Sequence, residues 1–365
     1  MTTKIIIGHL DMDAFFASLE ERATPRFAGK PIVVGSDPKN GHGRGVVSTA
    51  NYKAREYGIH SALPISKAWQ LSEEAAKHEK EKVIFLPSNF PMYEKSSQNI
   101  LNIINKYSDY VEQGSIDEFY FDLTKYKTFK KAESICKEIK KEIKDKEKIT
   151  CSIGLAPNKL VSKIAASINK PDGFLVINSK DIEAFLSPLL IRKIPGIGPK
   201  TAEILNKLNI NTIKELRSLT EEELKRILHS KTGRDIYLKA RGIDDSPITE
   251  NREAKSIGGQ ITFEENTFEI VSLVDKFLIH ANNIFERFKD SEFAKFKSIT
   301  ITIRFSDFVT ISSTKNFKTP FCKNDDKKLK LESLKLLLPF LDKRKNPQLK
   351  LIRLIGVRLE KFSRI

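Results

Sequence analysis

Two short acidic clusters lie far apart in this chain, and each adjoins an apolar run typical of a strand. Asp11 and Asp13 follow residues 5–10, and Asp117 and Glu118 precede an aromatic run. A carboxylate beside buried strand residues is costly unless a partner compensates its charge. If neighbouring strands bring the two clusters together, their oxygens form a site for a hard divalent cation such as Mg²⁺, with coordination positions left for phosphate. The clusters therefore indicate metal-assisted phosphoryl transfer.

The four acidic residues are not equivalent. Asp13 could equally cap the helix predicted to follow it. Asp117 and Glu118 are adjacent, and adjacent strand residues point to opposite faces, so a shared ion needs a turn or bulge there. Gly114 and Ser115 supply turn chemistry just before the pair. Taken singly, each group could also be an ordinary strand-end carboxylate.

Other residues could contact a phosphorylated sugar. Of Phe15 and Phe16, at least one is expected in the core, which leaves the other to pack under a sugar. Tyr52 and Arg55 are three apart, so one helix face presents both, and a guanidinium with a phenol suits phosphate oxygens. An exposed basic helix is the alternative. Lys170 lies in a tight turn and could direct one charge at a phosphate, or could simply be a surface lysine.

A hydrophobic-Pro-Gly-hydrophobic-Gly sequence occupies residues 194–198. Between two helices this pattern predicts a hairpin that exposes backbone N–H groups beside a helix N-terminus. Such a hairpin, like the helix-hairpin-helix motif, can grip a DNA phosphate without reading sequence. A glycine turn without that role is the alternative.

Composition narrows the class of protein. A chain of 365 residues with 40% hydrophobic content predicts two to four packed domains. The formal net charge of +16 favours a polyanionic partner such as nucleic acid, although a lysine-rich composition can also serve solubility. Three scattered cysteines fit a reduced cytoplasmic protein without disulfides or structural zinc. No segment has the character of a signal peptide or membrane span.

Irregularly alternating strands and helices predict an α+β fold with an antiparallel or mixed sheet backed by helices. The predicted strands are 4–10, 31–34, 45–48, 83–86, 110–112, 118–122, 149–155, 298–305 and 349–362. The predicted helices begin near residues 13, 51, 65, 92, 132, 220, 270 and 327.

In order and spacing, these motifs resemble those of the Y-family DNA polymerases, and most closely the bacterial DNA polymerase IV group. The matching stretches are residues 9–16, 48–55, 115–118, 169–173, 194–198, 255–258 and 355–358. The resemblance extends over essentially the whole chain and implies a right-hand architecture. The implied domains are the palm at 1–14 and 83–177, the fingers at 15–82, the thumb at 178–244, a linker at 245–255 and the little finger at 256–365.

The resemblance also implies catalytic roles. Asp11 and Asp117 would bridge two Mg²⁺ ions, Glu118 would be a further ligand beside the primer 3′-OH, and the Met12 carbonyl would complete the nucleotide-side ion.

The implied nucleotide contacts come from the fingers and palm. Tyr52, Arg55 and Lys170 would hold the triphosphate, with Thr49 as a weaker candidate. The remaining members of the nucleotide set are Phe16 as the steric gate against a ribose 2′-OH, its neighbour Phe15, and Ser48, which lies where the fingers cover the templating base.

DNA would be held by the thumb through Gly196, Gly198 and Lys200, and by the little finger through Arg304 and Arg358. Neither grip reads base edges, so binding is expected to be sequence-independent and salt-sensitive. Primer-template DNA and deoxynucleoside triphosphates are the implied partners of a monomeric, low-fidelity translesion enzyme. A sliding clamp is a further implied partner. The last five residues lack the usual clamp-binding peptide, which indicates either binding through other surfaces or truncation.

Two other functions compete with this interpretation. A non-catalytic DNA-binding protein on a degenerate polymerase scaffold would keep the basic surface and lose a carboxylate, but all three carboxylates are present. A nucleotidyl cyclase also uses paired carboxylates, but the hairpin and the C-terminal match count against it.

Overall fold

The computed structural model describes residues 5–250 and 253–364. Residue 4 of the predicted first strand, residues 251 and 252 of the predicted linker and residue 365 lie outside this description. The chain divides into two compact units, residues 1–41 with 46–251 and residues 42–45 with 252–365. In the described ranges, no helix is both long and apolar enough to be a membrane span.

The first unit alternates strands and helices up to residue 176 and is helical thereafter. Its strands are β1 (Ile7–Met12), β2 (Ile32–Gly35), β3 (Val47–Ala50), β4 (Ile84–Leu86), β5 (Val111–Gln113), β6 (Glu118–Asp122), β7 (Cys151–Ala156) and β8 (Phe174–Val176). Its helices are α1 (Phe15–Ala23), α2 (Tyr52–Arg55), α3 (Ile65–Lys77), α4 (Phe90–Ile104), α5 (Phe129–Glu147), α6 (Lys159–Ala166), α7 (Ile182–Leu186), α8 (Pro199–Asn206), α9 (Ile213–Arg217), α10 (Glu221–Leu228) and α11 (Ser230–Ala240).

A five-stranded sheet in the order β5-β6-β1-β7-β8 forms the base of this unit. The central strand β1 is antiparallel to both β6 and β7, and β7 is parallel to β8. Residues of α1, α4 and α5 complete the core cluster that includes β1, β6 and β7. The sheet is therefore mixed and backed by helices, as predicted.

Helix α6 lies close to β7 because Gly154 has no side chain. A methyl group at Gly154 would overlap the backbone carbonyl oxygen of Ser162. Close approach of backbone to backbone is a common reason for glycine inside a strand. This contact fixes α6 beside the central strands of the sheet.

Two elements lie close to the implied bounds between palm and fingers. Strand β4, assigned to the palm, pairs in parallel with β2 in a separate three-stranded sheet of order β3-β2-β4. Helix α1, assigned to the fingers, packs Phe15 and Leu19 into the core of the five-stranded sheet. An apolar run predicts a buried strand but not which sheet it joins, because that choice depends on long-range pairing.

The remaining helices of the first unit are short, and two of them start at capping boxes. Capping boxes begin α9 at Thr212 and α10 at Thr220, which confirms the helix start predicted near residue 220. An apolar cluster contributed largely by α7–α11 packs between these helices.

The second unit is a four-stranded antiparallel sheet with two helices. Its elements are β9 (Ser256–Thr267), α12 (Ile270–Lys289), β10 (Lys295–Phe305), β11 (Thr310–Cys322), α13 (Asp326–Leu337) and β12 (Ile352–Glu360), with strand order β11-β10-β12-β9. Side chains of α12, α13 and the sheet share an apolar core rich in phenylalanine. Edge strand β11 was not predicted, because its mostly polar sequence lacks a clear period-two pattern.

Candidate active site

Pairing between β1 and β6 brings the two acidic clusters together. Asp11 stands directly opposite Glu118 in the antiparallel register. Asp117 lies in the turn before β6, where its carbonyl oxygen accepts a hydrogen bond from the Met12 N–H at 3.0 Å. Ser115 Oγ donates to Asp117 Oδ1 at 2.6 Å. The predicted turn is therefore present, and it frees Asp117 from the alternation of the strand.

Lysines neutralise two of these carboxylates. Lys170 Nζ donates to Asp11 Oδ1 and, at 3.2 Å, to the carbonyl oxygen of Met12. Burial raises the pKa of Asp11 to about 6 even though the Lys170 ammonium opposes the shift. Lys163, projecting from α6, donates to Glu118 Oε2. Lys170 was predicted as a site residue from the sequence, but Lys163 was not. The proximity of Lys163 to Glu118 depends on the packing of α6, which the sequence pattern does not show.

His9 is a second group that sequence reasoning missed. Its ring is fully buried, and neither ring nitrogen has a hydrogen-bond partner among the described residues. Burial lowers the pKa of His9 to about 4, so the ring is neutral near pH 7. The pKa of Glu118 falls to about 2 through His9 and Lys163. Because His9 Nε2 lies 3.9 Å from Glu118 Oε2, the direct donor that stabilises this carboxylate is Lys163.

The donor set suits a hard divalent cation. Carboxylate oxygens of Asp11, Asp117 and Glu118 and the carbonyl of Met12 are the ligand type that Mg²⁺ prefers. Within the described ranges, no three acidic, histidine or cysteine side chains already converge on one point. The Lys170 ammonium instead contacts two of the expected ligand oxygens. These oxygens therefore already contact one positively charged group, the Lys170 ammonium. They also suit a divalent metal ion that would displace it.

Asp13 is structural, but not as a helix cap. Helix α1 has Ala14 at its N-cap position and no side-chain capping bond. The Asp13 carboxylate, 2% exposed, accepts from Thr150 Oγ1 at 2.8 Å, Ser152 Oγ at 2.9 Å and the Asp172 N–H at 2.7 Å. Asp13 therefore ties β1 to β7 and to the turn that carries Lys170.

Tyr52 and Arg55 share one short helix face, as their spacing predicts. The Arg55 guanidinium lies 4.8 Å from the centroid of the Tyr52 ring, and Arg55 Nε donates to the Ala50 carbonyl at 2.9 Å. Tyr52 Oη lies 3.5 Å from Asp13 Oδ1, and burial together with Asp13 raises the pKa of Tyr52 to about 12. The phenol is thus a hydrogen-bond donor at neutral pH. Thr49, on the preceding strand β3, is half-buried.

The two aromatic residues after the first cluster have different environments. Phe15 is 1% exposed and belongs to the core, so it is not accessible to a nucleotide. Phe16 is half-buried and stacks on Tyr93 with ring centroids 4.3 Å apart. Of the pair, Phe16 is the one available to face a sugar. Ser48, also half-buried, lies on β3.

Comparisons with known proteins place this chain in a family. Residues 10–167 match the impB/mucB/samB family, residues 192–244 the DNA polymerase-iota thumb domain, and residues 254–364 the impB/mucB/samB C-terminal domain. The chain is 38% identical to DNA polymerase IV 2 of Methanosarcina mazei over 98% of its own length and 92% of that protein. It is 39% identical to DNA polymerase IV of Streptococcus mutans over 87% of its length and 84% of that protein.

Solved structures agree with this match. The Y-family DNA polymerase chimera Dbh-Dpo4(243-245)-Dbh has a TM-score of 0.83 and 33% identity, covering 98% of this chain and 99% of that one. An insertion ternary complex of Dbh DNA polymerase has a TM-score of 0.67 and 32% identity, with coverage of 98% and 99%. The chain belongs to the Y-family of DNA polymerases.

The thumb hairpin of this Y-family chain lies just before α8. Gly196 has φ +105°, a left-handed conformation that favours glycine, and the space around Gly198 is open to 4 Å. Lys200 is exposed in the first turn of α8. The first turn of a helix leaves backbone N–H groups without intrahelical partners. The hairpin therefore lies at a helix N-terminus, and its role in binding phosphate stays a prediction.

In the little finger of this Y-family member, Arg304 and Arg358 lie on adjacent strands. Arg358 stands opposite Thr300 in the register of β10 with β12, four residues from Arg304 along β10. Arg304 Nε donates to Thr310 Oγ1 at 2.8 Å, and Arg358 lies 3.3 Å from Glu360. Thr300 and Arg304 alternate with buried isoleucines that face the helices, so both arginines lie on the opposite face of the sheet.

Proposed function

We propose that this chain is a template-directed DNA polymerase that adds deoxynucleotides to a primer 3′-OH and copies damaged templates with low fidelity. The observation that carries the proposal is the register of β1 with β6, which sets Asp11 against Glu118 with Asp117 beside them. Membership of the Y-family and the match to polymerase IV proteins support the same activity.

Two Mg²⁺ ions are the proposed cofactors. Asp11 and Asp117 would hold both ions, Glu118 would complete the one near the primer terminus, and the Met12 carbonyl the one near the triphosphate. When bound, such ions stabilise the attacking and leaving oxygens of an in-line displacement. The palm itself supplies the geometry: β1, β6 and the turn before β6 hold the ligand oxygens on rigid elements.

The triphosphate is assigned to Lys170, Tyr52 and Arg55, with Thr49 as a weaker contact. Lys170 would transfer its ammonium from Asp11 to a phosphate oxygen once a metal takes over that carboxylate. Tyr52 donates a hydrogen bond as a protonated phenol, and Arg55 offers the fork geometry that phosphate oxygens favour. These groups would position the α-phosphate for attack, which is the main contribution of the protein in phosphoryl transfer.

Few protein groups would contact the base and sugar of the incoming nucleotide. Phe16 is assigned as the gate against a ribose 2′-OH, and Ser48 would lie over the nascent pair. The fingers sheet consists of strands only three or four residues long. Because the fingers sheet is so small, it would discriminate only weakly against a nascent base pair of abnormal shape. We expect damaged templates to be tolerated for this reason.

DNA binding is assigned to contacts with the phosphate backbone of the DNA. Gly196, Gly198 and Lys200 in the thumb, and Arg304 and Arg358 in the little finger, would hold phosphates. A sliding clamp, a monomeric state and a cytoplasmic location stay predictions from the sequence.

Primer extension tests the proposal. A labelled primer annealed to each of four templates that differ only in the first unpaired base is incubated with Mg²⁺ and single deoxynucleotides. We expect the incorporated nucleotide to change with the template base, and we expect extension past an abasic site in the template. Absence of extension, or addition that ignores the template base, would overturn the proposal.

A further inference from the structure

The turn between β10 and β11 places an aromatic side chain where the backbone favours glycine. Residues 306–308 form a three-residue hairpin loop, in which the Phe308 N–H donates to the Phe305 carbonyl at 3.0 Å and the Phe305 N–H donates to the Val309 carbonyl at 2.9 Å. The last residue of such a loop has a left-handed backbone and is commonly glycine. Phe308 has φ +66°, which is rare and costly for a bulky side chain. The hairpin itself therefore gives no reason for phenylalanine at this position.

The Phe308 ring contributes little to the core of the second unit. It is 64% exposed, whereas the other phenylalanines that the structure describes in this unit are buried or half-buried. The Arg353 guanidinium lies over the ring, 4.6 Å from its centroid. A ring with a cation on one face and solvent around the rest presents a flat apolar surface to a ligand. A strained and exposed aromatic residue of this kind points to binding.

Positive charge surrounds the ring and favours an anionic ligand. Neither Arg304 nor Arg353 has an ion pair among the residues that the structure describes. Burial and the Arg44 and Arg304 guanidinium groups lower the pKa of Arg353, because like charges lie close together. Asp307, which precedes Phe308 in the chain, already takes part in an ion pair with a lysine. A ligand that combines a flat apolar group with negative charge would complement this surface.

We propose that Phe308 is a stacking platform for an unpaired base of a DNA strand, with Arg304 and Arg353 binding the flanking phosphates. The inference rests on the proposed function, because it takes the little finger as a DNA-binding domain. Aromatic rings in a positively charged setting bind single strands in this way and accept every base, since each base has a flat face. The platform needs a base without its complement, so it acts on single-stranded DNA and not on a paired duplex.

The test compares two short single strands of equal length, one of thymidine and one of abasic sites, which carry the same phosphates. Dissociation constants are measured by fluorescence anisotropy with the full chain, without Mg²⁺ or nucleotide. We expect wild type to bind the thymidine strand at least about fivefold more tightly, which is the lower end for one base stacked on an aromatic side chain. Phe308→Gly should lose most of this preference with unchanged binding of the abasic strand, and Phe308→Tyr should keep the preference. Glycine favours the φ of this position, so it removes the ring without straining the hairpin. Arg353→Gln should weaken binding of both strands.

Tyr110→Ala is the matched control, because Tyr110 is an aromatic residue of the first unit that is 60% exposed, and its loss should leave the preference unchanged. Equal binding of both strands by wild type would overturn the inference. So would a Phe308→Gly variant that keeps the preference or that loses affinity for both strands alike. A wild-type dimer that Phe308→Gly converts to a monomer would also overturn it and assign the ring to a second copy of the chain. Absence of primer extension together with the expected base preference would contradict the proposed polymerase function alone.

Discussion

Substituting Asp13 with alanine should destabilise the palm strongly, even though Asp13 is not assigned to the metals. The buried carboxylate accepts hydrogen bonds from Thr150, Ser152 and the Asp172 backbone. Alanine leaves these three donors without their acceptor in a site that is almost closed to water. The change also removes the tether on the turn that presents Lys170.

The expected loss can be estimated from these contacts. A hydrogen bond to a charged group contributes about 1.5–3 kcal/mol, so three contribute more than most single substitutions remove. The sum is an overestimate, because alanine also relieves the cost of burying the charge. Breaking one side of a buried charged network typically costs about 3–5 kcal/mol. We expect a loss of about 3–4 kcal/mol, or roughly 10 °C in Tm for a unit of this size.

Urea and thermal unfolding of wild type, Asp13→Ala and Asp145→Ala measure this loss. Asp145 is exposed on α5, so the same change of residue there should stay within about 0.5 kcal/mol of wild type. Below the unfolding transition, Asp13→Ala should also raise KM for the deoxynucleotide more than it lowers kcat. A loss below about 1 kcal/mol would refute the role of Asp13 as the buried tie between β1, β7 and the Lys170 turn.

Further predictions concern packing, metal affinity and pH. Gly154→Ala should cost at least about 2 kcal/mol in urea unfolding, because the new methyl overlaps the backbone of α6. Lys170→Met should tighten Mn²⁺ binding to the nucleotide-free protein by about tenfold in calorimetry, since it removes a competing cation from the ligand oxygens. The pKa of Glu142 is lowered to about 2 by Lys106 and Lys146, so its contribution to stability is complete above about pH 5 and is lost as pH falls toward 2. The stability difference between wild type and Glu142→Gln, measured by urea unfolding, should therefore narrow steadily below pH 5.

Each of these predictions has a clear contrary result. Gly198→Ala is the control for Gly154→Ala, because the space around Gly198 is open, and equal unfolding free energies for the two variants would contradict the packing argument. Unchanged or weaker Mn²⁺ binding by Lys170→Met would show that its ammonium does not compete with metal. A difference between wild type and Glu142→Gln that is constant from pH 7 to pH 3 would contradict the assigned ion pairs.

Strands β1 and β6 could be predicted because each is a short apolar run with acidic residues at one end. The alternation rule also required the turn that the structure shows at Asp117. Lys163 and His9 could not be predicted. Their proximity to Glu118 depends on β1 pairing with β6 and on the close packing of α6, which no local pattern encodes.

Other differences have similar causes. Aspartate is a common helix N-cap residue, which is why Asp13 was considered as a cap. In the structure its carboxylate instead accepts hydrogen bonds from residues at β7 and from a turn far along the chain. Residues 83–86 were correctly predicted to form a strand, but the pattern did not show that this strand, β4, pairs with β2. Strand β11 is stabilised by its long pairing with β10 and not by the pattern of its own residues.

Single-turnover incorporation of one deoxynucleotide by Asp117→Asn tests the central claim most directly. Asparagine keeps the size of the side chain and removes its charge. Asp109→Asn, at an exposed palm position that pairs with Lys125, is the matched control. With primer-template DNA and Mg²⁺, we expect Asp117→Asn to lose at least about 10³-fold in rate while Asp109→Asn stays at the wild-type rate. Undiminished incorporation by a folded Asp117→Asn protein would contradict the assignment of this carboxylate to metal-assisted nucleotidyl transfer.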